Sequence, residues 1–201
     1  SVFGIRKEEN PKYTLIEKYK NIEIRKYHPH IIAKTKEKGE FKEAQRRAFR
    51  RLAGYIFGKN KLKQKISMTA PVIQKPEKTK KNIKIAMTAP VIQKPADDGW
   101  TMTFMMPSQF TLKTLPEPID KKITLEKTDE KYMAVIQFSG YGTKKKNDKQ
   151  AKQLLKWLTE QGKYTIISKP MFAGYDPPWT LPFFRKNEMM VEIKKVKKAG
   201  I

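Results

Sequence analysis

Four of the chain's seven arginines fall within six positions: Arg46, Arg47, Arg50 and Arg51. Helical spacing would set Arg46 and Arg50 one turn apart on one face, and Arg47 and Arg51 on the next. Phe49 and Ala53 lie beside Arg46 and Arg50, so that surface is part apolar and part cationic. A planar ligand carrying carboxylates suits it. Ala53 permits close approach, Phe49 supplies contact area, and guanidinium groups fork onto carboxylates. An ordinary amphipathic helix with a basic outer face would look the same.

A second unusual segment is 173–188, AGYDPPWTLPFFRKNE. Its three prolines exclude a regular central strand, yet it carries Tyr175, Trp179, Leu181, Phe183 and Phe184, followed by Arg185. A loop this apolar either packs onto the body of the protein or covers a ligand. The two histidines, His28 and His30, flank Pro29. Residues two apart in an extended segment face one side, which makes them a candidate metal pair. With no acidic residue beside them, a solvent-exposed turn is the simpler reading.

Cysteine is absent. That excludes disulfides, thiolate metal sites, a cysteine nucleophile and thiolate haem ligation, and it fits a reducing cytoplasmic setting. The nucleophile-elbow, zinc-protease, P-loop and dinucleotide motifs are missing, so no motif supports an enzyme, although Tyr, Glu and Asp remain available for catalysis. Glu23, Glu126 and Glu192 fall in strand-like segments and are the acids a catalytic alternative would have to use.

The elements that must position these residues can be read from periodicity. In Phe41–Ile56, apolar residues recur at helical spacing, and Gly58 is a plausible stop. A second helix is expected from a cap at Asn147 or Asp148, through Leu154 and Leu158, to Gly162. Strands are expected at 22–27, 31–35, 100–106, 123–126, 132–138, 165–167 and 189–193. The 201 residues are 38% hydrophobic, enough for a packed core. No run approaches the roughly 20 apolar residues of a membrane span. The net charge of +24 is mostly lysine. It attracts polyanions without specificity, and no nucleic-acid-binding signature accompanies it.

Two internal similarities organise the chain. KISMTAPVIQKP at 65–76 recurs as KIAMTAPVIQKP at 84–95, which suits an antiparallel hairpin. At longer range, an offset of 101 aligns Ile22 with Ile123, Ala33 with Ala134 and Gly39 with Gly140. Each segment reads strand, turn, strand, glycine, helix, then further strands. The offset predicts two β-β-α-β-β-like halves that share one sheet or barrel, and hence a single domain over 1–201.

IEIRKY at 22–27, RLAGYIFGKN leaving the first helix, MTAPV, MPS at 106–108, TLPEP at 114–118 and the 173–188 segment stand in order along the chain. In these motifs the sequence resembles the SOUL haem-binding family, over a core at about 13–193. The resemblance implies an α+β fold: a distorted antiparallel β-barrel of about eight strands with pseudo-two-fold symmetry, flanked by two helices. Here it would carry an extra hairpin, since the family's MTAPV strand normally appears once. It also implies a non-covalently bound haem b or related porphyrin, with a small-molecule tetrapyrrole as the partner.

The family's shallow groove, carried onto this chain, would be lined by Arg46, Phe49, Arg50 and Ala53 on the helix. Trp179, Leu181 and Phe183 would face them from the loop, with Arg46, Arg50 or Arg185 meeting the propionates. Some family members have a proposed ligand histidine where this chain has Lys26, so iron ligation stays open, with His28 and His30 nearby. The alternative is a gyrase-inhibitor-like relative that binds or hydrolyses small hydrophobic molecules through a buried acid or tyrosine.

Overall fold

The structure, a computed structural model, describes residues 8–61, 82–177 and 179–196. Strands β1 (Tyr13–Tyr19), β2 (Ile22–Tyr27) and β3 (Ile31–Lys38) lead into helix α1 (Phe41–Ile56). A short β4 (Asn60–Lys61) precedes β5 (Val91–Ala96), β6 (Gly99–Met105), a short β7 (Glu117–Pro118), β8 (Thr124–Lys127) and β9 (Lys131–Phe138). Helix α2 (Lys144–Gln161), β10 (Tyr164–Ile166), β11 (Met171–Gly174) and β12 (Asn187–Lys195) complete the chain.

The large sheet is antiparallel, in the order β1-β2-β9-β12-β11-β5-β6-β3-β8, with β10 added to β12. Its outer strands, β1 and β8, do not pair, so the expected barrel is a strongly curled, open sheet. The internal repeat is visible in this order. β9, β12 and β11 of the second half mirror β3, β6 and β5 of the first across the β5–β11 boundary. The leading strand of each half pairs with the opposite half, β2 with β9 and β8 with β3. Neither half therefore completes its own sheet.

Strand alternation then sorts the side chains into layers. Ala44, Ala48, Leu52, Tyr55 and Ile56 make the buried stripe of α1 against Ala33, Met102 and Phe104 of β3 and β6. Leu154 and Leu158 of α2 pack with Ile24, Ala134, Ile136 and Val191 of β2, β9 and β12. A third cluster, of Tyr27, Met133, Val135, Ala173, Tyr175 and Met190, fills the opposite face of the sheet.

Helix α1 has the expected bounds, and Gly58 follows it with φ +117. Helix α2 starts a turn earlier than expected. Thr143 is its N-cap, its Oγ1 accepting from the Lys146 amide at 3.3 Å. The lysine run 144–146 has good helix propensity and belongs to the helix, while Asn147 is buried inside it. Gly162 closes the helix in the left-handed region, φ 62. Of the repeated twelve-residue segment, the first copy lies outside the described residues, and so does the expected hairpin. The second copy supplies β5, which pairs with β6 and β11.

Candidate functional site

One row of the sheet ties the two unusual segments together. Ala33 is in register with Phe104, Phe104 with Val91, Val91 with Gly174, and Gly174 with Asn187. Register partners point to the same face, and here that face carries both helices. Phe49 of α1 sits edge-on to Phe104, ring centroids 5.6 Å apart. Gly174 is the last residue of β11, where the proline-rich segment leaves the sheet. With strands ~4.8 Å apart, Phe104 and Gly174 are separated by roughly 10 Å. Helix α1 and the start of the loop thus stand two strands apart, at one end of one face, with Val91 of β5 between them.

The next rung on that face is Met102, Gln93 and Phe172. Gln93 is buried, and its Oε1 has no hydrogen-bond partner. It is a desolvated acceptor in the strip of sheet between the helices.

The two arginine faces of α1 have different surroundings. Arg47 bonds Glu37 at 3.2 Å and the Lys38 carbonyl, and lies 3.5 Å from Glu43. Arg51 pairs with Glu37 and donates to Asp120 at 2.7 Å. Both guanidinium groups tie the helix to β3, and Arg51 ties it also to the chain before β8. Arg46 and Arg50 are exposed and have no ion-pair partner among the described residues. Phe49, 41% exposed, lies between them in sequence, and Ala53 is half-buried.

The loop is held by its backbone. Gly140 N–H donates to the Pro182 carbonyl at 2.7 Å, and Lys186 N–H donates to Asp176 at 2.7 Å. A single 3-10 turn spans Pro182–Phe184. Tyr175 is buried, but the loop's other large apolar side chains face solvent, Trp179 at 67% and Phe183 at 66% exposed, with Leu181 and Phe184 also exposed. Arg185 is engaged within the loop region: its Nε donates to the Thr180 carbonyl at 2.8 Å, and its guanidinium lies 4.7 Å from the centre of the Tyr141 ring. His28 and His30 lie in the β2–β3 turn and line a separate cavity.

A buried polar cluster was not anticipated from the sequence. Arg25, with no solvent exposure, donates from Nε to Glu23 at 2.7 Å, from Nη1 to Tyr27 at 2.8 Å, and in a fork to both oxygens of Glu188. Tyr175 also donates to Glu188, at 2.6 Å. Burial, reinforced by the charge of Glu188, pushes both the Tyr27 and Tyr175 phenols above their ordinary range. Of the acids considered for catalysis, Glu23 belongs to this cluster, while Glu126 and Glu192 are partly exposed and pair with Lys34 and Lys131. The signal in the sequence was a charged residue at every second place of an apolar strand, as at Glu23 and Arg25. Nothing local pointed to Glu188.

No described helix is long and apolar enough to cross a membrane. Among solved structures, the C-terminal domain of EcmrR superposes with TM-score 0.54 at 11% identity, covering 92% of this chain and 99% of that one. A hydrolase from Listeria innocua superposes with TM-score 0.50 at 10% identity, covering 87% and 92%. These likenesses concern the fold alone. In sequence, the chain is 29% identical to heme-binding protein 2 of Mus musculus, covering 86% of this chain and 82% of that protein. It is also 29% identical to heme-binding protein 2 of Homo sapiens, covering 83% and 75%. The family described as SOUL heme-binding protein matches residues 8–192, and the chain belongs to that family.

Proposed function

We propose that the protein is a non-catalytic binder or carrier of haem or a related tetrapyrrole, held without a covalent bond in the groove between α1 and the 175–186 loop. The observation that carries this reading is the split of the arginine quartet. Arg47 and Arg51 are consumed by the fold, whereas Arg46 and Arg50 flank an exposed phenylalanine on the face from which the aromatic loop leaves. The residue types fit a porphyrin. A flat apolar disc gains most from Phe49, Trp179, Leu181 and Phe183, and its two carboxylates match two uncommitted guanidinium groups. Large exposed apolar patches mark ligand or partner sites. The absence of cysteine fits a non-covalent mode.

The porphyrin would bring its own redox-active iron; this chain's part is to hold the disc and its carboxylates. None of the groove residues is an iron-ligand type, so affinity there rests on disc contact and charge. Haemin titration followed at the Soret band tests the reading. A saturable shift, weakened in the Arg46→Ala/Phe49→Ala variant, is expected. No saturable shift, or one indifferent to that variant, would overturn it.

The gyrase-inhibitor-like alternative needs an available buried acid or tyrosine, and the buried Tyr27 and Tyr175 are hydrogen-bonded to Arg25 and Glu188. Glu188 is fully buried, but Arg25 and Tyr175 donate to its oxygens and Lys186 Nζ lies 3.3 Å from Oε1, so its acceptor positions are taken within the cluster.

A further inference from the structure

The chain's two histidines line the same cavity, of about 660 Å³, formed by residues 9–12, the β2–β3 turn, the end of β6 and the 106–113 segment. That volume lies within the ~300–1,000 Å³ typical of small-molecule sites. Pro11, Ile31, Met105, Met106, Phe110 and Leu112 give it apolar walls. No residue of α1 or of the 175–186 loop belongs to it, so it is distinct from the groove.

The two imidazoles differ in what they have left to offer. The Nε2 of His28 is engaged with Thr14 Oγ1 at 3.1 Å. In His30 the engaged atom is Nδ1, 2.9 Å from the His28 carbonyl and 3.3 Å from Thr128 Oγ1. A backbone carbonyl accepting from Nδ1–H fixes the tautomer and leaves the Nε2 lone pair outward, the outer-shell arrangement of metal-binding histidines. The Nε2 of His30 has no hydrogen-bond partner among the described residues.

A bare metal ion needs several protein ligands, and the described residues contain no group of three or more side chains of the usual ligand types able to hold one. One free imidazole in an apolar cavity instead suits a metal that arrives with most of its coordination sphere filled. An iron porphyrin is such a metal: four ring nitrogens occupy its plane and one axial position takes histidine. The charges around the cavity agree. Lys12, Lys113 and Lys127 line it and have no ion-pair partner among the described residues. Its one carboxylate, Glu9, is occupied by the Ser108 amide at 3.1 Å. Carboxylates on the ring edge would therefore meet cations.

We propose that this cavity is a second porphyrin seat, specific for the iron form, in which His30 Nε2 is the axial ligand and Lys12, Lys113 and Lys127 face the propionates. The inference rests on the reading of the chain as a tetrapyrrole binder. It assigns the iron-ligating function that the groove residues lack.

The test is titration with haemin, and separately with metal-free protoporphyrin, of the full chain and four variants: His30→Ala, His30→Gln, His28→Ala and Arg46→Ala/Phe49→Ala. The readouts are Soret position, electron paramagnetic resonance and, as a folding control, circular dichroism melting. A histidine-ligated iron signature is expected in the parent, in His28→Ala and in the groove variant. It should be lost in both His30 variants and return in His30→Ala when free imidazole is added. An unchanged iron signature in folded His30→Ala would overturn the assignment while leaving haem binding intact. Loss of the signature in the groove variant alone would overturn it equally. Absence of any saturable haemin binding by the parent would instead overturn the tetrapyrrole reading itself, and the assignment with it.

Discussion

Arg25 and Glu188, 163 residues apart in the chain, meet through a two-pronged hydrogen bond at 3.0 and 3.1 Å with both side chains fully buried. β2 and β12 are not neighbours; β9 lies between them. The pair therefore crosses a strand, and Glu23, Tyr27 and Tyr175 satisfy the remaining donors and acceptors around it. Such a network stabilises little compared with an apolar core of the same shape, but it fails badly when one member is removed.

Replacing Arg25 with Met should therefore be costly. Glu23 and Glu188 would lose their buried, hydrogen-bonded cation and keep only the more exposed Lys18 at 3.7 Å and Lys186 at 3.3 Å, at a cost of about 3–5 kcal/mol. Urea unfolding is the check. The Arg25→Met/Glu188→Leu variant should recover part of the loss, because the interaction is shared. Additive effects of the two changes would show that the fork contributes nothing of its own.

The same cluster sets an alkaline limit. Burial, with the charge of Glu188, raises the pKa of Tyr27 and Tyr175 in the folded chain. In the unfolded chain these phenols lose their protons from about pH 10. Above that pH the folded state holds more protons than the unfolded one, so stability is complete below pH ~10 and declines as pH rises further. Denaturant midpoints measured from pH 8 to 11 should fall more steeply for the parent than for Tyr27→Phe/Tyr175→Phe. Parallel curves would show that the two phenols carry no linkage.

Much of the architecture was legible, for identifiable reasons. Ala44, Ala48, Leu52, Tyr55 and Ile56 form a single apolar stripe, so α1 could be bounded from its residues. The two-fold relation showed as an offset because equivalent strands keep equivalent spacing. β1 was missed because almost all of Tyr13–Tyr19 is exposed, leaving no alternation to read. The start of α2 was missed because exposed lysines look alike in a loop and in a first helical turn.

At the site, helical spacing separated Arg46 and Arg50 from Arg47 and Arg51, but not the role of each face. That depends on Glu37 and Asp120, which other parts of the chain deliver. Glu188 lay in a segment that read as loop, and its partner is 163 residues away.

The two arginine faces should accordingly separate by experiment. Arg46→Glu/Arg50→Glu should weaken haemin binding about tenfold or more, as expected for losing charge-assisted bonds to carboxylates, with little change in melting temperature. Arg47→Ala/Arg51→Ala should lower stability by about 1–3 kcal/mol through the unpaired, nearly buried Glu37, with little change in affinity. The reverse pattern, stability lost through Arg46 and Arg50, would contradict the division of roles.

Two glycines predict a graded response to the same small change. A Cβ on Gly99, at the turn into β6, would fall against the Glu37 carbonyl oxygen and the Lys38 Cα, backbone atoms of the adjoining β3. Neither can move without parting the ladder that also positions Asp98 between Lys36 and Lys38 at 2.7 and 3.0 Å. A Cβ on Gly142 would come within 2.5 Å of the tip of the Phe172 ring, a side chain that can swing aside. Overpacking typically costs about 1–3 kcal/mol where neighbours can relax, and more where they cannot. Gly142→Ala should therefore remain folded with a modestly lowered midpoint, and Gly99→Ala should lose distinctly more stability, as read by urea unfolding of the two variants side by side. Equal losses would mean that the β3–β6 edge yields as easily as a ring, and would count against the tight approach of these strands at Gly99.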